Sequence, residues 1–432
     1  MNEVKDYSTN TLYLFSGRIV FIISELIVGL LLARYLGPEL FGDLAYILAI
    51  FYVLLAISKS GLDPIIIKFL VADPVKRSET LGSAFLIRFS VSILIVLLCI
   101  GSYFVGIEGM VPILILALVL LPSSLNVLNS YYQAIVRAKY QVYAEVGAKV
   151  AGMISKLLFI YFGFPFIVLI WIIFAEFLIV PILLIVFFKI GFAFEWQFSS
   201  ATIVALSKQS WPMLLTGVAV ILHMRIDQLM IKNLIDSTAL GYYSAAIRLS
   251  ESWYFIPGVI TTSLFPKILE KAAFSKILEN TLGLIYSGLM YLSLGIAIVI
   301  SVFSESIVSI LYGIEYLPAA PILQLYIWSG VFVSINYVSL KFYHVLNLER
   351  IKFLFTVVSL ALNGALNYFF IIRYGVIGGA LATLLSLFVS ALILNLLYSK
   401  TRRITLVILK SLDPSRLLSV APLVVNAIRT RP

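Results

Sequence analysis

Charge is what this chain has least of: 12% of its residues are Asp, Glu, Lys or Arg while 62% are hydrophobic, against about 25% charged in ordinary soluble domains. A water-facing surface cannot be covered with so little charge. That excludes a soluble globular protein and makes a lipid bilayer part of the solvent. Cysteine is nearly absent too. Cys99 stands alone inside an apolar run, which excludes an intrachain disulfide and a cysteine-cluster metal site and leaves a small lipid- or core-facing residue. Also missing are a glycine-lysine-serine phosphate loop, an HExxH zinc signature, a GxSxG nucleophile elbow and any extramembrane stretch long enough for a nucleotide-binding domain. ATP hydrolysis is therefore excluded, and no cofactor or metal is expected. The outward loops, at about 108–111, 162–165 and 373–376, are too short for an external catalytic domain.

What the sequence has in abundance is continuous apolar sequence, as in 19–33, 91–100 and 298–303. These runs lack the alternation of barrel strands, so helices are the predicted way across. Cutting them at Gly, Pro and charge clusters predicts spans at 12–33, 40–58, 82–106, 111–134, 144–162 and 165–189, then 210–231, 240–264, 281–303, 318–346, 351–372 and 376–398. The expected fold is all-α and integral to the membrane, with about twelve transmembrane helices in two six-helix bundles, 1–189 and 210–400. A connector at 190–209, with Glu195, Trp196, Phe198 and Lys208, suits the membrane surface, and a basic tail occupies 401–432. Within that tail an amphipathic surface helix is expected at 405–428, because Asp413, Pro414 and Arg416 interrupt its apolar run. The first span continues without a polar cleavage region and is expected to be an uncleaved helix rather than a secretory signal.

Lys and Arg set the orientation, because cytoplasmic loops accumulate them. With both termini cytoplasmic, only Arg34, Lys232 and Arg373 fall on the outer side. The net charge of +10 then reflects this asymmetry, reinforced by a tail able to rest on anionic lipid headgroups. It needs no nucleic acid.

The two halves echo each other. Residues 36–42 (Leu-Gly-Pro-Glu-Leu-Phe-Gly) correspond to 234–241, Pro64 to Pro266, Tyr132 to Tyr343 and Gly163 to Gly375, at offsets of 199, 202, 211 and 212 that rise in order. Six helices per half returns the chain to the same side, which makes the repeat parallel. Two such bundles rocking about a cleft form a transporter architecture, and duplication kept only for packing is the plainer alternative.

Ionisable side chains inside spans cost several kcal/mol unless paired or wet, which makes them the first functional candidates. They are Arg18, Glu25, Lys149, Lys156, Glu176, Arg225, Asp227, Arg248, Glu251, Lys341 and His344. An arginine in the first helix of each half, Arg18 and Arg225, points to an anionic substrate. Snorkelling to the interface is the competing reading of Arg18. Arg248 and Glu251 are three apart and can touch. Lys149 and Lys156, seven apart, form a basic stripe suited to a pyrophosphate or to packing against Glu145 or Glu176. Glu25 and Asp227 are the candidates for a coupling cation, Na+ or H+, and Asp227 could equally serve a helix contact. Asn336, Asn363 and Asn367 offer hydrogen bonds to sugars or between helices.

The segments 33–38 (Ala-Arg-Tyr-Leu-Gly-Pro) with Phe41-Gly42, Gly61-Leu62-Asp63-Pro64, Asp227-Gln228-Leu229-Met230-Ile231, 240–246 (Leu-Gly-Tyr-Tyr-Ser-Ala-Ala) and 263–266 (Ser-Leu-Phe-Pro) resemble the polysaccharide-lipid flippases called Wzx. These O-antigen transporters belong to the multidrug/oligosaccharidyl-lipid/polysaccharide exporter superfamily, and the likeness runs over roughly 10–400. It implies flipping of an undecaprenyl-pyrophosphate-linked oligosaccharide across a bacterial cytoplasmic membrane, through a cationic cleft. Carried onto this chain, Arg18, Arg225, Arg248 and Lys149 become candidate pyrophosphate or sugar ligands. The implied partners are the lipid-linked substrate, membrane lipids, a coupling cation and other polysaccharide-assembly proteins. A cation-coupled multidrug exporter of the same fold, favouring carboxylates over arginines, is the first rival. A membrane polysaccharide polymerase or ligase is the second, and the short outer loops argue against that enzyme.

Overall fold

A computed structural model describes the backbone of residues 2–107, 109–191, 196–270 and 275–413. Side chains are described within 25–107, 109–188, 196–264 and 279–413. Arg18 and the tail beyond 413 thus lie outside the described side chains. Every regular element among the described residues is helical. In chain order they are α1 (Asn2–Ser58), α2 (Asp63–Ala72), α3 (Arg77–Phe104), α4 (Met110–Ala134), α5 (Lys139–Phe162), α6 (Phe166–Gly191), α7 (Ser200–Leu234), α8 (Ser237–Glu251), α9 (Phe255–Glu270), α10 (Ser275–Val302), α11 (Ser304–Leu311), α12 (Ile314–Tyr326), α13 (Ser329–Val345), α14 (Glu349–Tyr374), α15 (Val376–Leu397) and α16 (Arg402–Lys410).

The chain is a multi-pass membrane protein. Eight described stretches are long and apolar enough to cross a bilayer, or nine if α12 and α13, bent by 45°, count as one span. Length and apolarity alone therefore do not reach the expected twelve. The first stretch, Glu25–Ala72, holds 48 residues, about 70 Å of helix at 1.5 Å per residue and far more than one ~30 Å crossing needs. It breaks at Gly37, whose φ of 71° is left-handed, where the sequence placed a loop. The expected span 144–162 lies in α5, which carries Glu145, Lys149 and Lys156. The expected span 240–264 is divided between α8 and α9. Much of the expected connector is helical: α6 runs to Gly191, and α7, 35 residues long from Ser200 to Leu234, takes in 200–209 and continues through Pro212.

The chain packs as two compact units, one comprising 1–36 and 43–222, the other 37–42 and 223–432. In the first, Val28, Leu32, Phe51, Leu116, Phe159 and Leu169 make one apolar cluster that includes Cys99, and Leu62, Ile66, Leu81, Tyr132, Leu184 and Leu206 make another. Hydroxyls join helices inside this packing, Ser58 to Ser92 at 2.9 Å and Ser92 to Ser124 at 3.4 Å, as expected where backbones approach closely and polar groups lack water. The lipid side carries Leu94, Leu97 and Leu98, while Tyr103 with Phe104 and Tyr161 with Phe162 stand exposed where α3 and α5 end, as an interfacial aromatic belt requires.

The segment Gly61-Leu62-Asp63-Pro64 makes a turn. Ser60 and Gly61 are both left-handed, at φ of 54° and 63°. A Cβ on Gly61 would come within 2.7 Å of the Ser210 carbonyl oxygen, so α7 packs on bare backbone here. Leu62 is buried, Pro64 opens α2, and Asp63 accepts from Arg88 at 2.7 Å and from the Ser130 hydroxyl at 3.3 Å.

The second unit centres on Leu282, Tyr286, Val338, Phe342, Ile404 and Ile408. α16 is amphipathic, but Ile404, Val407 and Ile408 are buried against this protein core while Leu406 and Leu409 remain exposed. Of the surface helix expected at 405–428, the part beyond 413 lies outside the described residues. Both copies of the 36–42 motif meet within this unit. Gly42 lies against the Ser237 carbonyl and Gly241 against the Pro38 carbonyl, a reciprocal contact at the repeat offset of 199. A Cβ at position 241 would stand 2.7 Å from the carbonyl carbon of Pro38. Gly241→Ala is expected to force this crossing apart and cost about 1–3 kcal/mol. Thermal unfolding in detergent reads it out, and an unchanged Tm would mean that the crossing spreads freely.

The repeat also appears in dihedral angles. Val136 and Asn347, 211 apart like Tyr132 and Tyr343, are both left-handed at φ of 56° and 53°. In each copy the next backbone N–H donates to the buried tyrosine's carbonyl, Arg137 to Tyr132 at 2.8 Å and Leu348 to Tyr343 at 2.9 Å. Gly163 and Gly375 end α5 and α14 at φ of 67° and 61°.

Candidate functional site

In the first unit the singled-out charges assemble into one array. Lys149 and Lys156 stand two turns apart on α5, so they share a face. Glu176 of α6 lies across both. One carboxylate oxygen accepts from Lys149 Nζ and the other from Lys156 Nζ, each at 2.6 Å. Lys149 also contacts Glu25 on α1. Gly152 makes room between the lysines, because a Cβ there would stand 2.6 Å from the Glu176 carboxyl carbon. Of the two partners proposed for the stripe, Glu176 is the one used; Glu145 accepts instead from Gln141 at 3.0 Å. Two positive and two negative groups neutralise each other, and a phosphate reaching Lys149 would have to displace Glu25, the most exposed member at 36% of its side chain.

The second unit holds the other candidates. Asp227 is buried on α7 and accepts from the Tyr243 hydroxyl at 2.5 Å and from the Gln228 N–H at 2.7 Å. Arg225 donates to the Gln228 side chain at 3.3 Å and lies within electrostatic range of both Asp227 and Glu251. Glu251 accepts from Tyr326 at 3.2 Å and makes no ion pair among the described residues. The pairing of Arg248 with Glu251 suggested by their spacing is therefore corrected: the guanidinium of Arg248 lies 5.6 Å from the centre of the Phe41 ring, a favourable cation–π contact. Beyond Tyr243, Thr383 continues a polar chain into Asn363, which donates to Thr383 at 3.4 Å and to Ser386 at 3.0 Å; Asn367 donates back to Asn363. Asn363 and Asn367 thus bond between and along helices. His344 pairs with Glu349 at 3.3 Å on an exposed face. No group of three or more metal-ligating side chains occurs among the described residues.

Tyr243, Tyr326, Gln228, His223 and Lys352 are not among the residues singled out from sequence. Gln228 and Tyr243 lie inside quoted motifs, which was the available signal; their contacts with Asp227 show only in the structure. For His223, a histidine within a predicted span was the available signal.

Comparison with known proteins fits this architecture. Over 170 residues the chain is 24% identical to the probable low-salt glycan biosynthesis flippase Agl15 of Haloferax volcanii, a match spanning 39% of this chain and 36% of that relative. The fold is similar to that of the lipid II flippase MurJ in an inward closed conformation, with a TM-score of 0.66 and 18% identity over 94% of this chain and 90% of MurJ. It is also similar to an inward-facing multidrug resistance MATE family transporter of the MOP superfamily, with a TM-score of 0.68 and 12% identity over 89% and 96% of the two chains. The model of the polysaccharide biosynthesis protein family matches residues 31–321. With well over half of its length so matched, this chain belongs to the polysaccharide biosynthesis protein family.

Proposed function

We propose that this protein is a transporter, not an enzyme, that flips a lipid-linked oligosaccharide from the inner to the outer leaflet by alternating access. In its specific form the substrate is an undecaprenyl-pyrophosphate-linked O-antigen or related repeat unit, and the membrane is the bacterial cytoplasmic one with both termini inside. The observation that carries the reading is membership of a polysaccharide biosynthesis family on a polytopic helical fold shared with transporters. Physical chemistry supports it: sugars and phosphates lose their water in hydrocarbon and cannot cross unaided. Arg18, Arg225 and Arg248 are the proposed contacts for the anionic headgroup, with Lys149 reached through exchange with Glu25. Asp227 is the proposed seat of a coupling H+ or Na+, with Glu25 the second candidate. A cation-coupled multidrug exporter is the second reading, favoured by the buried carboxylate of Asp227.

The test is transfer of a fluorescent undecaprenyl-pyrophosphate oligosaccharide between leaflets of proteoliposomes. Wild type is expected to move it, while Arg225→Ala and Arg18→Ala fold and fail. Export of organic cations without lipid transfer would replace this reading with the exporter.

A further inference from the structure

We propose that His223 and Lys352 form an anion-binding subsite inside the second unit, one that takes the anionic oxygens of a glycan-lipid headgroup. Lys352 lies in the first turn of α14, where a membrane lysine ordinarily turns outward toward lipid headgroups. Here it turns into the protein. Its ammonium donates to Asn336 Oδ1 on α13 at 3.4 Å, lies 5.7 Å from the centre of the Tyr343 ring and interacts electrostatically with His223 on α7. None of these groups is an anion, and among the described residues Lys352 takes part in no ion pair.

His223 supplies the independent observation. Its Nδ1 is buried and has no hydrogen-bond partner, whereas buried polar atoms in native proteins are nearly always bonded. Asp227, one turn further along α7, directs its bonds elsewhere, to the Tyr243 hydroxyl and the Gln228 N–H, and makes no ion pair with Lys352. The single long bond to Asn336 leaves two of three ammonium hydrogens unused. A cation with neutral neighbours, within electrostatic range of a histidine whose Nδ1 has no partner, fits a ligand that is negative and accepts hydrogen bonds; a cationic ligand would be repelled. The first unit shows the contrast, since Lys149 and Lys156 are matched by Glu25 and Glu176.

The glycan-lipid identity of the ligand rests on the proposed function; the subsite does not. Two parts of such a headgroup offer these oxygens, its diphosphate and the carboxylate of an acidic sugar. The experiment measures binding of radiolabelled inorganic pyrophosphate, and separately of glucuronate, to the full chain in nanodiscs. Wild type is expected to bind at least one of them saturably, and Lys352→Gln and His223→Gln each to weaken that binding by about tenfold or more, the scale of a lost charge-assisted hydrogen bond. Lys352→Arg is expected to retain it, which separates charge from folding. Pyrophosphate binding alone identifies the diphosphate, and glucuronate binding alone the acidic sugar. Absence of saturable binding of both ligands in wild type, or unchanged affinity in both Gln variants, overturns the subsite. Leaflet transfer of the fluorescent lipid keeps the two ideas apart. Transfer unimpaired in both variants removes the subsite and leaves the function, while variant-sensitive binding in a protein that transfers no lipid does the reverse.

Discussion

Glu176→Ala is expected to lower the stability of the first unit by about 3–5 kcal/mol, the usual penalty for removing one partner of a buried ion pair and leaving the other behind. The loss falls on two cations at once. Lys149 keeps Glu25, but Lys156 loses its only ion-pair partner among the described residues, and both ammonium groups are nearly shielded from solvent. Thermal unfolding in detergent measures the effect, and a Tm unchanged from wild type would refute the array. The double variant Lys156→Met with Glu176→Leu is expected to be more stable than Glu176→Ala alone. It removes the orphaned charge together with its partner and leaves the Lys149–Glu25 pair intact, and replacing a whole buried pair by apolar groups is commonly neutral.

Asp227→Asn is expected to fold and yet to lose the response of lipid transfer to an imposed proton or sodium gradient. The gradient-driven rate should drop at least about tenfold, equivalent to ~1.4 kcal/mol in barrier. Asparagine has nearly the same shape: its Oδ1 can still accept from the Gln228 N–H, and its amide NH2, in place of the second carboxylate oxygen, can donate to the Tyr243 hydroxyl oxygen. It can neither take up a proton nor carry the charge facing Arg225. Tyr243→Phe is the companion variant: it keeps the carboxylate but removes one of its donors. If Asp227→Asn proteoliposomes still accelerate under either gradient, Asp227 is a helix contact and coupling must be sought at Glu25.

Much of this fold could be read from composition. Apolar runs and rare charges dictated membrane helices, Gly37 and Gly163 marked real breaks, and Cys99 proved to be a core residue. Loops rich in polar residues misled where the chain continues as helix: Lys208 and Gln209 look like connector but lie inside α7. Charge pairing was the least legible feature, because partners are chosen in space. Spacing suggested Arg248 with Glu251, yet Glu251 faces Tyr326, 75 residues away in sequence. Nothing local reveals that Lys352, at the start of the predicted span 351–372, turns its side chain inward toward α7 and α13. The Lys149–Glu176 contact was foreseeable as one of two options, since both residues lie within spans and need partners there.

The paired turns at Val136 and Asn347 say something about history. Asparagine enters the left-handed region cheaply, whereas a β-branched valine does so at a penalty, yet the buried tyrosine and its hydrogen bond to the residue after the turn are kept in both places. One ancestral turn, copied by duplication, accounts for two left-handed residues at the offset of their tyrosines better than two separate origins. The side chain at the bend then diverged while the bend did not. Backbone geometry is therefore the more durable record of the duplication, and kinship between the halves is better traced in their dihedral angles than in their letters.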